Sequence, residues 1–517
     1  MTKRLLFFAL LTLLVAGFSA RAQKRVKIQN ADKLKGGSTQ GERFERLLGN
    51  VILTQNKTTI YCDSAYFYKN KNTVEAFGRV KITEGDSVTI TARRLDYDGN
   101  QKKAKLRTNV VFTKLATATL YTDYLDYERP ANKAYYYNGG RLVDSLNVLT
   151  SQRGYYNVNS NLASFKKDVL VTNPDYTMQS DSLQYNSRSK IIFFVAKTTV
   201  VNKDSSSFVY EGGQYDTKTR RSDLQEGAGE STDYAVRGLR YDLDPIRSIY
   251  KIRGNVVMTS KKENLIINGQ ASDYYKLQGI TKIYNNAYVA KVTDDNDTLF
   301  MSADTLVSIE SKDPNKKRIL AYRNVKIFKK NLQGKADSLE YRTTDSTLYF
   351  YRNPVLWTEG NQMTADSIRM IIKNNTVDKI LMVNNSFVVS RDTLLNFNQI
   401  KGRRMTAEFN GKQIKQVYVE GNGESIFFVM DDKSLVLMGM NKIICSNIII
   451  RFKEGRVNNL TFLVKPEANF IPPHELIKDA KTLKGFLWKG DEKPTKKDVV
   501  HDGTPEGASD LPARKRL

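Results

Sequence analysis

Two short motifs recur at nearly constant spacing along most of this chain. The first has the form small-Asp-x-Leu-x-Tyr, as in TDYLDY at 122–127 and SDSLQY at 180–185. Its Asp-equivalent positions in the first part of the chain lie 29 or 30 residues apart, at 63, 93, 123, 152 and 181. Such a period is typical of a stacked repeat array, in which each unit buries its apolar side against its neighbours. A length of 517 residues, which alone suggests about three domains, is better explained by one repeated element.

The second motif predicts β-strands. It begins with Gly or Asn, continues with Asn or Arg and then Val, and ends in alternating residues, as in GNVILT at 49–54 and GRVKIT at 78–83. Alternation with a period of two and many β-branched residues is typical of strands. In ADSLEY at 336–341, the same alternation puts Leu and Tyr on one face and Ser and Glu on the other. We therefore predict an all-β fold whose Leu and Tyr face points inward.

The repeats divide the chain into four predicted segments. They are a signal peptide at 1–22, β repeats at 23–225, continued β repeats at 226–465, and a carboxy-terminal segment at 466–517. The boundary between the repeat segments is placed at QEGAGESTD, 225–233, the least strand-like stretch inside the array. Apolar residues at helical spacing predict a short amphipathic helix over 474–488 that caps the last strands. The polar residues 489–517 are predicted to be disordered.

Residues 1–22 have the features of a secretory signal peptide. Lys3 and Arg4 precede an apolar run at 5–18, and Ala20-Arg21-Ala22 supplies small residues around a cleavage site. A membrane anchor would need about 20 apolar residues, and this run is shorter. We therefore expect an exported protein that is soluble or is held at a membrane only by a partner.

The charge balance indicates an anionic partner. The chain has 81 Lys and Arg against 55 Asp and Glu, a formal net charge of +26. Basic surfaces commonly attract anionic polymers. Outside the cytoplasm, anionic lipid headgroups or acidic glycans fit this charge better than nucleic acid does. Solubility alone is the alternative explanation of the charge.

The residues that most enzymes use are scarce or regularly repeated. The two histidines, His474 and His501, follow the repeats, so no histidine-based catalytic triad or metal site is expected inside the array. A catalytic carboxylate pair needs a local environment of its own, whereas these aspartates recur once per repeat. We expect them to hold turn backbone, and we predict no enzyme activity, no metal and no cofactor. Cys62 and Cys445 lie at opposite ends of the array and are expected to be separate buried thiols.

Taken together, the signal peptide, the GNV strands and the A-D-x-L-x-Y strands resemble the OstA-like family. The resemblance is strongest over 40–200 and continues to about residue 465. It implies an elongated, solenoid-like, V-shaped antiparallel β jelly roll, to which this chain adds the short carboxy-terminal helix and the disordered tail. The family includes the periplasmic lipopolysaccharide-transport bridge protein and the amino-terminal domain of the outer-membrane translocon. This chain is much longer than the simplest members, and it lacks a final stretch of amphipathic barrel strands.

The resemblance implies that acyl chains of lipopolysaccharide are shielded in an apolar groove while the protein bridges the inner and outer membranes. The expected partners are lipid A acyl chains, other β jelly-roll transport components that stack at strand edges, and the outer-membrane translocon. The inward positions expected to line the groove are Val51, Leu53, Val80, Ile82, Leu95, Tyr97, Val110, Phe112, Leu125, Tyr127, Val169, Val171, Leu183, Tyr185, Leu339 and Tyr341. At each of them, closed-core packing is an equally open interpretation. An exported glycan-binding or structural β-repeat surface protein without lipid cargo is the alternative function.

Overall fold

The computed structural model describes residues 25–85, 88–114, 118–262, 264–293, 297–358, 360–373, 376–411, 413–431, 436–453 and 456–500. The predicted signal peptide at 1–22 and the end of the chain at 501–517 lie outside the described residues. Strands account for most of the described chain, and one short α-helix, α1, spans Lys496–Val499.

The strands are β1 Lys27–Asn30, β2 Lys33–Thr39, β3 Glu42–Gln55, β4 Thr58–Tyr68, β5 Thr73–Glu84, β6 Val88–Asp98, β7 Lys103–Lys114, β8 Ala118–Glu128, β9 Lys133–Asp144, β10 Asn147–Asn157, β11 Leu162–Asn173, β12 Tyr176–Asn186, β13 Ile191–Phe194, β14 Thr198–Asn202, β15 Ser207–Asp216, β16 Ser222–Glu230 and β17 Tyr234–Asp244. They continue with β18 Ile249–Ser260, β19 Leu265–Tyr275, β20 Ile280–Val292, β21 Thr298–Ile309, β22 Arg318–Lys329, β23 Leu332–Arg342, β24 Thr347–Tyr351, β25 Val355–Thr358, β26 Asn361–Thr364, β27 Ser367–Lys373, β28 Thr376–Arg391, β29 Phe397–Asn410, β30 Gln413–Met430, β31 Leu437–Lys453, β32 Arg456–Leu463 and β33 Glu467–Ile471.

Consecutive strands pair antiparallel. This pattern runs from β3 to β12, from β16 to β23, and from β28 to β31. In places, two short strands stand where the pattern would have one long strand, and both pair with the same neighbour. β13 and β14 both pair with β12. Likewise, β32 and β33 both pair with β31. Short Asn- and Gly-containing turns join the strands, because these residues tolerate positive φ. The predicted repetitive antiparallel all-β fold is confirmed.

The chain divides into two compact units. Of the described residues, unit 1 comprises those in 25–204 and 209–218, and unit 2 comprises those in 205–208 and 219–500. The stretch 225–233, where the sequence suggested a boundary, contributes to β16, which pairs along its length with β17. The division of the repeats near 225–233 therefore stays a prediction.

Each long strand of unit 1 bends near its middle. In β3 the bend is formed by Gly49 and Asn50, whose φ values are 75° and 44°, and the register with β4 shifts there. The repeated aspartates hold these bends. Asp63 accepts the backbone N–H of Arg79 at 2.9 Å, and Asp123 accepts that of Asn109 at 2.9 Å. Asp63 and Asp123 therefore have the structural role that the regular spacing predicted.

The bends fold the sheet of unit 1 into two walls. Wall A contains the first halves of the odd-numbered strands β3 to β11 and the second halves of the even-numbered strands β4 to β12, and wall B contains the remaining halves. In β5, Val74 and Ala76 point inward from wall A, and Val80 and Ile82 point inward from wall B, each at most 2% exposed. The core lies between the walls.

Described residues of unit 2 form two apolar clusters. The larger one lies inside the bent sheet and includes Leu339, Phe350 and Met405. The second lies on the other face of the strands, because Val388 packs with the interior cluster whereas its neighbours Phe387 and Val389 belong to the second. Ile426, Phe428 and Met440 complete this outer cluster, together with Leu483.

A carboxy-terminal strap, residues 472–499, covers the outer cluster. Leu483 is buried there at 3% exposure, and Phe486 and Trp488 pack around it. The strap then passes other strands of unit 2: Glu492 pairs with Lys335 of β23 at 2.9 Å, and Lys496 lies 4.8 Å from the ring centroid of Phe300 in β21.

The position of the predicted carboxy-terminal helix was wrong, although a short helix is present. Residues 474–488 contain only the 3-10 turns Pro473–Glu475 and Lys478–Lys481, and α1 lies further along, after a capping box formed by Thr495 and Asp498. The reason is that side chains of the sheet form hydrogen bonds with the backbone of this stretch, which therefore stays more extended than a helix. Gln399 and Gln362 each use both ends of a side-chain amide to bind the strap. No helix in the described part of the chain is both long and apolar enough to cross a membrane.

Candidate functional site

The residues predicted to line a groove are buried in the interior. Fifteen are at most 4% exposed: Val51, Leu53, Val80, Ile82, Leu95, Tyr97, Val110, Phe112, Leu125, Tyr127, Val169, Val171, Leu183, Tyr185 and Leu339. Tyr341 is half-buried and packs against the interior cluster of unit 2. Protein side chains alone produce this burial, as in a closed core. A lipid-lined interior requires the two walls to separate, so lipid contact at these positions stays a prediction.

The two walls of unit 1 contact each other. The rings of Phe112 on wall B and Tyr156 on wall A lie 5.7 Å apart, and Phe112 is 6.4 Å from Tyr127 of wall A. Beside these rings is a narrow crevice with a volume of about 20 Å³, which is space for about one water molecule. Its lining is mostly apolar, with Leu120 and Phe165 among the side chains, and Lys114 lies beside them. An acyl chain can therefore enter further only if the walls separate.

The edge of the two walls that lies opposite the bends is called the mouth. Inward-pointing tyrosines place their hydroxyl groups at this mouth. The hydroxyl of Tyr97 donates to Gln55 at 2.5 Å, and that of Tyr185 donates to the buried carboxylate of Asp144. Burial raises the pKa of Tyr97 to about 12, so its phenol stays neutral and can donate at physiological pH. These tyrosines link the apolar interior to the polar mouth.

Four polar side chains form a rim row along wall B at the mouth. They end alternate strands at a spacing of 29 or 30 residues: Gln55 of β3, Glu84 of β5, Lys114 of β7 and Asp144 of β9. Each contacts wall A. Glu84 pairs with Arg129 at 2.8 Å, and Asp144 pairs with Lys190 at 2.6 Å. Sequence reasoning missed this row because its four residue types differ, and only the spacing could have revealed it.

The third member of the rim row, Lys114, binds neutral oxygens of wall A. Its ammonium donates to the Asn161 side-chain oxygen at 2.6 Å and to the Val158 carbonyl. It also lies 5.8 Å from the ring centroid of Tyr156. Burial lowers the pKa of Lys114, and the neighbouring Arg188 lowers it further. Lys114 thus lies at the mouth of the apolar crevice, against Asn161 and Val158.

An aromatic cluster lies on the outer face of wall A. The rings of Tyr124 and Tyr137 are 5.3 Å apart, and Arg107 lies over both. Tyr135 and Tyr155 continue the cluster at 6.1 Å. Tyr124 is 39% exposed, so the cluster presents an aromatic surface to solvent.

The described residues include two thiols and other side chains of the kinds that can bind a metal ion. Cys62 and Cys445 are both free and buried, and burial raises the pKa of Cys62 to about 12. Within the described ranges, no group of three or more His, Cys, Asp or Glu side chains is placed to hold a metal ion.

Residues 23–181 match the family model of OstA-like protein. The resemblance indicated by the repeated motifs is therefore confirmed for this OstA-like segment, which contains β1 to β11 and the whole rim row. A similar solved structure is LptH of Pseudomonas aeruginosa, described as the LptA homologous periplasmic component of the conserved lipopolysaccharide transport device. It is 17% identical, the match covers 23% of this chain and 82% of that chain, and the TM-score is 0.20. No curated protein matches this chain.

Proposed function

We propose that this protein is a periplasmic, non-enzymatic lipopolysaccharide-binding and transport protein. Acyl chains lie between the two walls, the sugar and phosphate head stays at the wet mouth, and the stacked repeats bridge the inner and outer membranes. The observation that carries the proposal is the apolar interior of the OstA-like segment, to which successive bent strands contribute inward side chains from both halves. Covering acyl chains from water is worth ~0.8 kcal/mol per methylene.

The sheet can open without losing its backbone hydrogen bonds. Those bonds run between neighbouring strands inside each wall, whereas the walls meet through side chains. Separating the walls exchanges contacts between apolar side chains for contacts with acyl chains, which are equally apolar. The bends, held by Asp63 and its equivalents, act as the fixed line about which the walls move apart.

Both ends of the array suit strand-edge stacking with other β jelly-roll components. At the carboxy-terminal end, β32 and β33 each pair with β31, and Leu460 and Leu463 of β32 are 40% and 39% exposed. At the amino-terminal end, β1 and β2 pair with β3, and β2 carries the exposed Lys33 and Lys35. An edge strand can add a partner strand through its free backbone groups. We propose transport components, including the outer-membrane translocon, as the partners.

A glycan-binding or structural surface protein is the second candidate. Two observations favour it: the walls contact each other across the interior, and Tyr124, Tyr137 and Arg107 form an exposed aromatic surface on the outside. Aromatic faces of this kind are suited to stacking on sugar rings. In that function the interior is only a core.

Lipid analysis of the natively purified protein separates the two candidates. The mature protein is extracted from its own cells under mild conditions, and bound lipid is identified by mass spectrometry. Transport predicts co-purified lipid A species in roughly stoichiometric amount. A protein free of lipid that binds an acidic glycan column, and loses that binding on Tyr124→Ala, would instead support the second candidate.

A further inference from the structure

An open cleft of about 690 Å³ lies in unit 2, between the bent sheet and the last part of the strap. Its sheet side carries four asparagines that stand where strands bend: Asn285, Asn286, Asn324 and Asn353. Its strap side is formed by Lys489, Glu492 and Asp498. The volume is in the range of sites that bind small ligands, about 300–1,000 Å³.

The strap is fixed over this cleft. The outer cluster includes the strap only as far as Trp488, whereas the strap continues to Val499, which is 0% exposed. Between these two residues, the ion pair of Glu492 with Lys335 and the contact of Lys496 with the ring of Phe300 hold it against the sheet. Covering the outer cluster therefore does not explain this last part of the strap, which instead gives the cleft its second side.

The cleft asparagines offer hydrogen bonds to a ligand. Asn tolerates a positive φ, which is 60° at Asn286 and 53° at Asn353, so the bends explain part of the preference for this residue. Glycine would serve the backbone equally well but has no side chain. Both side chains are exposed where they line the cleft, and each amide places a donor and an acceptor side by side. A sugar hydroxyl, which both donates and accepts, matches such a group.

The charges that line the cleft favour a neutral ligand. Opposite charges are mixed in it, as the 2.9 Å pair of Lys335 and Glu492 shows. Asn324 donates to both carboxylate oxygens of Asp304 at 3.1 Å, so this carboxylate is held by an amide. The lining includes three ammonium groups and four carboxylates: Lys326, Lys335, Lys489, Asp304, Asp337, Glu492 and Asp498. Such a balance selects neither an anionic polymer nor a cationic one, and burying apolar groups against it would leave polar groups unpaired.

We propose that this cleft binds a neutral oligosaccharide. Its hydroxyl groups exchange hydrogen bonds with the bend asparagines on one side and with the carboxylates of the strap on the other. The inference goes beyond the proposed function and does not depend on lipid between the walls. The oligosaccharide is either free or part of a glycolipid, and both sources present the same hydroxyl groups to the cleft.

The test compares neutral and charged sugars on matched variants. The mature protein is applied to an array of neutral hexose and N-acetylhexosamine oligosaccharides, together with the same oligosaccharides carrying carboxylate or sulfate groups. Asn353→Gly removes one amide of the cleft and preserves the positive φ. Asn384→Gly is the control, because Asn384 is an exposed asparagine of unit 2 with a φ of 57° that lies outside the cleft.

The wild type is expected to bind neutral oligosaccharides more tightly than their charged forms. Asn353→Gly is expected to weaken this binding about fivefold in titration calorimetry, the loss of one hydrogen bond, and Asn384→Gly to leave it unchanged. Bound sugar should also slow hydrogen exchange over 489–499. Binding of the charged forms alone, an equal loss in both variants, or no binding of any neutral oligosaccharide overturns the assignment.

Two further measurements separate this site from the others. Lipopolysaccharide from the same cells is added as a competitor: displacement of the oligosaccharide supports the cleft with a glycolipid as the source, and no displacement supports it with a free oligosaccharide. Tyr124→Ala, in unit 1, is expected to leave the affinity unchanged. A loss in Tyr124→Ala that Asn353→Gly does not share would assign the sugar to the aromatic cluster and overturn the cleft. Lipid that co-purifies with Asn353→Gly should equal that of the wild type, so failure of the proposed transport function is observed separately.

Discussion

The side chain of Gln399 accepts the backbone N–H of Leu483 at 2.8 Å across 84 residues of sequence. Its amide nitrogen donates to the Lys481 carbonyl at 2.8 Å, so one buried glutamine replaces two backbone partners of the strap. Gln362 repeats the arrangement further along, at Leu487 and Lys489. The strap is thus tied to the sheet through its backbone.

Replacing Gln399 by Leu should loosen the strap. Two buried backbone groups lose their partners, which costs about 1–3 kcal/mol each. Hydrogen exchange over 476–489 is expected to rise in Gln399→Leu and to stay at the wild-type level in Gln413→Leu, a change at an exposed glutamine. Equal protection of the strap in both variants would contradict the role given to Gln399.

Leu483 should anchor the strap through its side chain. Leu483→Ala removes a leucine that is 3% exposed and is expected to destabilise unit 2 by about 2–4 kcal/mol. Leu487→Ala, at a residue 57% exposed, is expected to stay within about 0.5 kcal/mol of the wild type. Urea unfolding with a probe in unit 2 measures both changes. Similar midpoints would show that the outer cluster does not depend on the strap.

The bend at Asp63 should make stability depend on pH in the acid range. The backbone N–H of Arg79, and then its side chain, lower the pKa of the Asp63 carboxyl from its ordinary value of 3.8. Because the pKa of Asp63 is lower in the folded state than in the unfolded state, its carboxylate contributes its full stabilisation above pH 3.8. That stabilisation is lost as the pH falls through the pKa of the folded state. The difference in melting temperature between wild type and Asp63→Asn should therefore shrink below pH 4. A difference that is constant from pH 7 to pH 3 would contradict this.

The two faces of β7 should respond differently to a charge. Val110 is 1% exposed and points into the interior, whereas its neighbour Val111 lies on the outer face. Val110→Glu is expected to abolish lipid capture, because the carboxylate is buried among apolar side chains. Val111→Glu, and Asp337→Asn in the ADSLEY motif of unit 2, are expected to capture lipid at close to the wild-type level. The readout is lipid per protein after purification, in variants that retain the β-sheet circular dichroism spectrum.

Much of the fold was predictable because the signals are local and repeated. Alternation with a period of two sets which side chains of a strand point inward, and it correctly placed residues such as Leu95 and Val171 in the interior. The regular spacing of the aspartates indicated a structural role, which the hydrogen bonds of Asp63 and Asp123 confirm.

The strap and the rim row depend on partners far away in sequence. Leu476, Ala480, Leu483 and Leu487 fit a helical face, but Gln399 and Gln362 hold this stretch in a more extended form. The rim row contains Gln, Glu, Lys and Asp in equivalent positions, so no sequence motif marks it. The contacts of the rim row depend on how the two walls pack against each other. The alternation of residues along a strand does not specify that packing.

Photo-crosslinking along β7 shows whether lipid lies between the two walls in the cell. Benzoylphenylalanine is placed in living cells at Phe112, which points between the walls, or at Val111, which points outward. We expect an ultraviolet-dependent adduct with lipopolysaccharide at position 112 and none at position 111. Adducts at both positions, or at neither in a folded and exported protein, would contradict the claim that acyl chains lie between the walls.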